Sequence, residues 1–327
     1  MRKILVTGST GFVGSHMVDL LLENYKDAEI FCTKRYHLSR LDNVKHFYNY
    51  VKWADCDITD PIATLKLCDE IKPDIIFHFA AESFVSPSWD HPHRYMSVNY
   101  NGTLNLLEGI RQKTKNTKIL IPGSGEEYGE ILPEELPIND KTVLRPVNPY
   151  AVSKVSQDLI SYVYHKSYGT KVIRTRTFNH EGPRREKVFG ISSYAYQIAQ
   201  IEKGLQEKII KVGHLEDKRN FTHVKDIVKA YLLAAENCEP GELFIIGNED
   251  ERSIYTFKEA LTKLIGLSTV SGITYEEHAP FVRPTNVPYL IADTSKFINK
   301  TNWKIEYSFD DVLNAVSYTH LTLPTKA

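Results

Sequence analysis

The chain has 327 residues, enough for one large α/β unit or for a core domain with a smaller appendage. Its 40 Lys and Arg against 41 Asp and Glu leave a formal net charge of −1, which excludes a field that would recruit nucleic acid or an anionic membrane. A composition of 42% hydrophobic and 25% charged residues excludes wholesale disorder, and no apolar run approaches the ~20 residues that span a bilayer. The opening MRKILVTG passes straight into strand and turn rather than into a signal peptide. Cys32, Cys56, Cys68 and Cys238 form neither CxxC nor zinc spacing, and the histidines show none either. They read as reduced thiols of a cytoplasmic protein without a metal site.

In chain order, β-branched runs predict strands at residues 3–6, 30–33, 51–54, 75–79, 119–121 and 172–174, with helical patterns starting near Gly14, Pro61, Pro92 and Pro149. Strands alternating with helices predict an α/β fold, a Rossmann-type doubly wound parallel sheet. Residues 1–175 are expected to form its dinucleotide-binding domain, with 220–248 returning to it, and 176–315 a smaller, mainly substrate-binding domain. An amphipathic helix begins at 310–315, but the following SYTHLTLPT is not expected to continue it. That stretch resembles the translation of a sequencing-library adapter, so 316–327 is expected to be a non-native tail without function.

Thr7-Gly8-Ser9-Thr10-Gly11-Phe12-Val13-Gly14 follows the first strand and opens a helix. In that context GxxGxxG is a dinucleotide site: Gly8 turns the chain, Gly11 admits the pyrophosphate, Gly14 packs helix on strand, and the free N–H groups of the helix start meet phosphate. The second strand ends at Lys34-Arg35, where a carboxylate would meet a ribose 2′-hydroxyl. A cationic pair fits a 2′-phosphate, so NADP is preferred over NAD. Asp57 and Ile58 follow the third strand, where adenine rests in such folds, and Ala80 and Ala81 follow the fourth.

Tyr150 and Lys154 stand at i and i+4, on one helical face. A neighbouring ammonium is expected to lower the phenol pKa, so that Tyr150 takes a proton from a hydroxyl while hydride leaves the same carbon. Ser124, at the end of the fifth strand, is placed to hydrogen-bond the reacting oxygen.

The glycine loop, His78-Phe79-Ala80-Ala81, Ser124 and the Tyr150/Lys154 pair together resemble the extended short-chain dehydrogenase/reductase family, over nearly the whole chain. Within it, Phe178-Asn179-His180-Glu181-Gly182-Pro183-Arg184-Arg185 resembles the FNHExPRR segment of GDP-mannose 4,6-dehydratases, and Lys34-Arg35 with Arg40-Leu41 resembles their second-strand loop. Residues 212–226 and Arg283-Pro284-Thr285 are similar to both those dehydratases and GDP-4-keto-6-deoxymannose reductases. The resemblance implies an NADP-dependent lyase that turns GDP-mannose, or a related GDP-sugar, into a 4-keto-6-deoxy sugar. It makes Glu126 the base at C5 and the acid at the C6 hydroxyl, beside Ser124, Tyr150 and Lys154. It puts Ser83, Asn179, Arg184, Arg219 and Arg283 on the substrate side with Glu126, and implies a homodimer or homotetramer.

Three stretches depart from the dehydratase pattern: the GSTGFVG loop is closer to the reductase form, Ile191-Ser192-Ser193-Tyr194 replaces a Thr-Arg-Lys segment, and Asn286 stands where a Glu is usual. The same residues therefore also allow a 4-keto reductase or a nucleotide-sugar epimerase, which need only Ser124, Tyr150 and Lys154. A non-enzymatic alternative is a relative that only senses NADP.

Overall fold

A computed structural model describes residues 1–250 and 253–322. The chain begins with β1 (Lys3–Thr7), α1 (Phe12–Asn24), β2 (Glu29–Lys34), β3 (Lys52–Asp55), α2 (Pro61–Ile71) and β4 (Ile75–His78). A helical column follows: α3 (Pro92–Tyr95), a π-wound stretch (Met96–Asn101) and α4 (Gly102–Lys113). Then come β5 (Lys118–Ser124), α5 (Pro149–Tyr168), β6 (Lys171–Thr177), β7 (His180–Glu181) and α6 (Gly190–Glu202). The rest is β8 (Ile209–Val212), β9 (Lys218–Asn220), β10 (Thr222–His223), α7 (Val224–Asn237), β11 (Leu243–Ile246), β12 (Ile254–Thr256), α8 (Phe257–Gly266), β13 (Thr274–Glu277), β14 (Tyr289–Leu290), α9 (Ser295–Thr301) and α10 (Phe309–Thr322).

Seven strands form one parallel sheet in the order β11-β6-β5-β4-β1-β2-β3. The direction of winding reverses between β1 and β4, and the carboxyl ends of those two strands open the crevice where such sheets take ligands. The crevice is narrow: a Cβ on Gly8, whose φ is +66°, would lie 2.6 Å from the backbone of Phe79 and Ala80. Only glycine turns the chain at that distance.

Alternation along β1 explains both faces of the sheet. Ile4 and Val6 pack with Met17 and Leu21 of α1 and Ile227 and Tyr231 of α7. Leu5 points the other way, onto Leu67 of α2 and Leu106 and Ile110 of α4. Burial on both faces makes the strands read as continuous apolar runs. A second core joins α6, α8, α10 and β8 through Ile191, Ile198, Ile210, Leu261, Val312 and Leu313, and Tyr128, Phe178, Ile245 and Leu290 cluster apart from it.

The chain's last helix corrects one expectation. α10 continues through Thr322, and Val316 is only 1% exposed within the second core. The apolar spacing Val312, Leu313, Val316 carries the helical face past Ala315, against the poor helix propensity of the threonines beyond. Residues 323–327 of the expected tail lie outside the described residues.

Candidate active site

The phosphate loop fits an anion. Gly11 precedes α1 in extended conformation, no side chain caps that helix, and its first turn holds no acidic residue. The N–H groups and the positive end of the helix dipole are thus left for a ligand. A Cβ on Gly14 would stand 2.2 Å from the Gly8 carbonyl oxygen, which is how closely α1 seats on the turn. Ser9 Oγ donates to the Thr33 carbonyl at 2.8 Å, and Asn43 Nδ2 donates to the Thr10 carbonyl at 3.3 Å. Val13 packs on the core, whereas the Phe12 ring lies parallel to that of His180, centroids 5.9 Å apart. The Ala80 N–H donates to Thr7 Oγ1 at 3.3 Å; Ala81 and Ser83 follow it, exposed.

The cationic pair after β2 divides. Lys34 Nζ is bound to Asp55 Oδ1 at 2.6 Å, while Arg35 is exposed. Asp57 Oδ1 accepts from Thr59 N–H and Oγ1–H at 2.9 and 2.7 Å. Burial pushes the Asp57 carboxyl up, but those hydrogen bonds and the charges of Arg35 and Arg94 hold it below its usual range. Ile58 is buried against Gly102. Arg35 is therefore the available cation for a 2′-phosphate, and Lys34 is neutralised by its strand neighbour. Together the uncapped helix start, the glycine turn and Arg35 fit a dinucleotide.

Ser124 ends β5 and caps the tight turn after it. Its Oγ accepts the Glu126 N–H at 3.2 Å, and Glu127 Oε1 accepts the Ser124 N–H at 2.7 Å. A Cβ on Gly123 would stand 2.3 Å from that Glu127 oxygen, so the turn closes only over glycine. Glu127 is fully buried; its Oε2 accepts from Arg176 Nε at 2.9 Å, and Arg176 Nη2 reaches Asp158 Oδ2 at 2.7 Å. Burial, with the Asp158 charge, pushes the Glu127 carboxyl up. This buried ion network holds the turn from behind.

α5 brings the remaining groups. Asn148 Oδ1 accepts the Ala151 N–H at 2.7 Å, and Pro149 occupies the first turn. Asn148 also donates through Nδ2 to Glu126 Oε2 at 3.0 Å, so one residue starts the helix and tethers the carboxylate. Tyr150, buried in the first turn, lies near enough to Ser124 for the serine to act against burial on its phenol. The Tyr95 ring stands edge-on to it at 6.2 Å. Glu126 lies close enough to act on the phenol electrostatically, its side chain 13% exposed and its Oε1 3.7 Å from Arg283 Nη1. Ser124, Glu126 and Tyr150 thus meet at one cleft.

Burial drives the Tyr150 phenol up, and Ser124 and Arg185 act against it. The Lys154 ammonium donates to the Pro122 carbonyl, at 2.6 Å, and to Gln157 Oε1. Burial lowers the Lys154 pKa while Glu127 and Asp158 hold it up.

Two of the substrate-side arginines have close partners within the chain. Arg219 is buried and donates to the carbonyls of Lys218, Pro288 and Val287 at 2.9, 3.3 and 2.6 Å. It staples β9 to the segment before β14, near enough to Glu126 and Arg283 for their charges to act on it. Arg184 pairs with Asp19 of α1 at 2.7 Å and approaches His46, on the seam with the first lobe. Arg185 turns inward in its place, lying over Phe189 at 3.8 Å and Phe12 at 4.9 Å, with its charge felt at Tyr150. Asn179 is half-buried, and its carbonyl accepts the Thr222 N–H at 3.0 Å. Asn148 was legible as a helix cap before Pro149, and Arg185, like Arg184, as a phosphate candidate in the FNHExPRR-like segment.

A family model described as GDP-mannose 4,6 dehydratase matches residues 5–316. The chain belongs to the GDP-mannose 4,6-dehydratase family. It is 30% identical over 349 residues to a GDP-mannose 4,6-dehydratase of Vibrio cholerae, covering 95% of this chain and 91% of that one. It is 28% identical over 315 residues to a GDP-6-deoxy-D-mannose reductase of Pseudomonas aeruginosa, covering 96% of each. Among solved structures, RMD from Pseudomonas aeruginosa complexed with NADPH superposes with a TM-score of 0.84 at 26% identity, covering 98% of this chain and 99% of that one. Membership in this dehydratase family agrees with the Rossmann-type sheet and makes the chain an enzyme. Among the described residues no helix is long and apolar enough to cross a membrane.

Proposed function

We propose that this protein is an NADP-dependent nucleotide-sugar 4,6-dehydratase that converts GDP-mannose, or a related GDP-sugar, to the GDP-4-keto-6-deoxy sugar. The observation that carries the reading is Glu126: a carboxylate at the cleft beside Tyr150, tethered by Asn148 and faced by Arg283, is what elimination needs and hydride transfer alone does not.

The residues of Gly8, Thr10, Gly11, Phe12, Val13 and Gly14 would hold the pyrophosphate, Arg35 a 2′-phosphate, Asp57 and Ile58 the adenine, and Ala80 and Ala81 the crevice side. The NADPH bound by the Pseudomonas relative supports this assignment. NADP bound there would supply a hydride acceptor for C4 and return that hydride at C6 in the same turnover. Tyr150 takes the C4 hydroxyl proton, and Ser124 donates to that oxygen. Burial favours the neutral phenol, so basicity at Tyr150 rests on Ser124 and Arg185, which act against burial, with Lys154 as electrostatic support. A C4 ketone acidifies C5–H; Glu126 removes that proton and delivers it to the C6 hydroxyl, which leaves as water, and C5 takes a proton from solvent as hydride is returned at C6. Arg283 and Arg185 are the cations for the diphosphate, with Ser83 and Asn179 toward the sugar.

Exposed Val152, Leu159 and Val163 form a stripe on one face of α5 and support a homo-oligomer packed through that helix. Four buried free thiols support a reducing, cytoplasmic setting. The likeness to the Pseudomonas reductase favours a second reading, reduction of a 4-keto-6-deoxy sugar. Incubation with GDP-mannose and NADP but no reductant separates them. A product lighter by one water is expected; no such product, together with NADPH-dependent reduction of GDP-4-keto-6-deoxymannose, would establish the second.

A further inference from the structure

A buried chain of hydrogen bonds runs from the last residue of β1 to Lys154. Thr7 Oγ1 meets His78 Nδ1 at 2.7 Å, His78 Nε2 meets Thr103 Oγ1 at 2.9 Å, and Gln157 Nε2 donates to Thr103 Oγ1 at 2.8 Å. Gln157 Oε1 accepts from Lys154 Nζ. All five side chains are buried.

Counting donors fixes the direction of every link. The single proton of the Thr103 hydroxyl goes to the Asn99 carbonyl, at 2.7 Å, because a carbonyl only accepts. Thr103 Oγ1 must then accept from both the Gln157 amide and the His78 Nε2–H. Burial lowers the His78 pKa to about 3, so the ring is neutral and its Nδ1 accepts from the Thr7 hydroxyl. Thr7 Oγ1 in turn accepts the Ala80 N–H. With its NH₂ group committed to Thr103, the Gln157 carboxamide can present only its oxygen to Lys154. A fully buried Gln is rare unless its polar ends are used.

We propose that Gln157 is a positioning residue for the proton transfer at Tyr150, its carboxamide oriented by the Thr103–His78–Thr7 chain so that it and the Pro122 carbonyl hold two of the three ammonium protons of Lys154. This rests on the reading of Lys154 as the electrostatic support of Tyr150. One ammonium proton remains for a ligand in the cleft. The phosphate loop, the end of β4 and the ammonium are then one hydrogen-bonded unit. The titratable groups facing Lys154 are Glu127 from the turn after β5, Asp158 from α5 and His78 from β4.

The test follows the Lys154 ammonium by NMR in lysine-labelled, full-length protein without cofactor, assigned with Lys154→Arg. Gln157→Leu removes a charge-assisted acceptor and is expected to lower the titration midpoint by about one pH unit; Gln157→Glu adds a negative partner and is expected to raise it by about as much. The alkaline limb of the turnover profile should move in the same two directions while KM for the sugar nucleotide stays constant. A midpoint unmoved in both variants, with only thermal stability reduced, overturns the proposal and leaves Gln157 a structural link between α4 and α5. If the Leu variant does not fold, the upward shift in the Glu variant alone decides. If the wild type turns over no sugar nucleotide, the dehydratase reading fails while the NMR midpoints still judge Gln157.

Discussion

The two walls of the cleft carry charged and polar groups of the same kinds but place them by different means. On the wall of β5 and α5, a strand end supplies Ser124, a tight turn supplies Glu126, and a helix started by Asn148 and Pro149 supplies Tyr150 and Lys154. On the wall of the second lobe, four arginines have four fates. Arg184 pairs with Asp19, Arg185 lies over Phe12 and Phe189, Arg219 binds the Val287 and Pro288 carbonyls, and Arg283 faces Glu126. Short-range backbone geometry determines the first wall. On the second, the nearest acceptor in the folded chain decides what each long, always-charged side chain does.

The largest effect expected on the first wall is from Glu126→Gln. Dehydration should fall by on the order of 10²–10⁴-fold with thermal stability unchanged, as read from product formation and a melting curve. Equal loss of stability would mean Glu126 belongs to the scaffold, as Glu127 does. On the second wall, Arg219→Leu and Arg283→Leu should separate. The Arg219 variant strands carbonyls and should lose about 3 kcal/mol in urea unfolding; the Arg283 variant should keep its stability and raise KM for the sugar nucleotide about 10–100-fold. The opposite pattern would return Arg219 to the diphosphate.

His16 sits where the walls meet, its Nε2–H donating to the Pro183 carbonyl at 2.9 Å. Burial, then the Arg184 charge, lowers its pKa from 6.5 to about 4. Below pH 6.5 the unfolded chain binds the extra proton, so stability is lost as pH falls from about 6.5 toward 4 and is constant above. Asp226, raised by burial to about 6, works the other way. His16→Gln should therefore remove about 2 kcal/mol of the loss between pH 7 and pH 5, measured by urea midpoints at both. The smallest effect is Arg35→Ala: NADP affinity should drop about tenfold and NAD affinity stay level. Equal losses for both would place the 2′-phosphate elsewhere.

These contrasts also mark what was readable in the sequence. Six strands and the sheet class followed from alternation of apolar runs, because a parallel sheet buries both faces. The short strands β7, β9, β10, β12 and β14 of two or three residues carry no period long enough to see. Tyr150, Lys154, Ser124 and the glycine loop were legible because their chemistry needs fixed local spacing. The inward turn of Arg185 over Phe12, the stapling by Arg219 and the link from Gln157 to Thr103 depend on partners 173, 68 and 54 residues distant, and no local pattern announces them.

The account stands or falls on Glu126 as the group that removes the C5 proton. The direct measurement is conversion of GDP-mannose in deuterium oxide by the wild type and Glu126→Gln, with deuterium at C5 of unreacted and product sugar read by NMR. The account predicts C5 exchange with solvent in the wild type and none in the variant. Undiminished C5 deuteration by Glu126→Gln would contradict it.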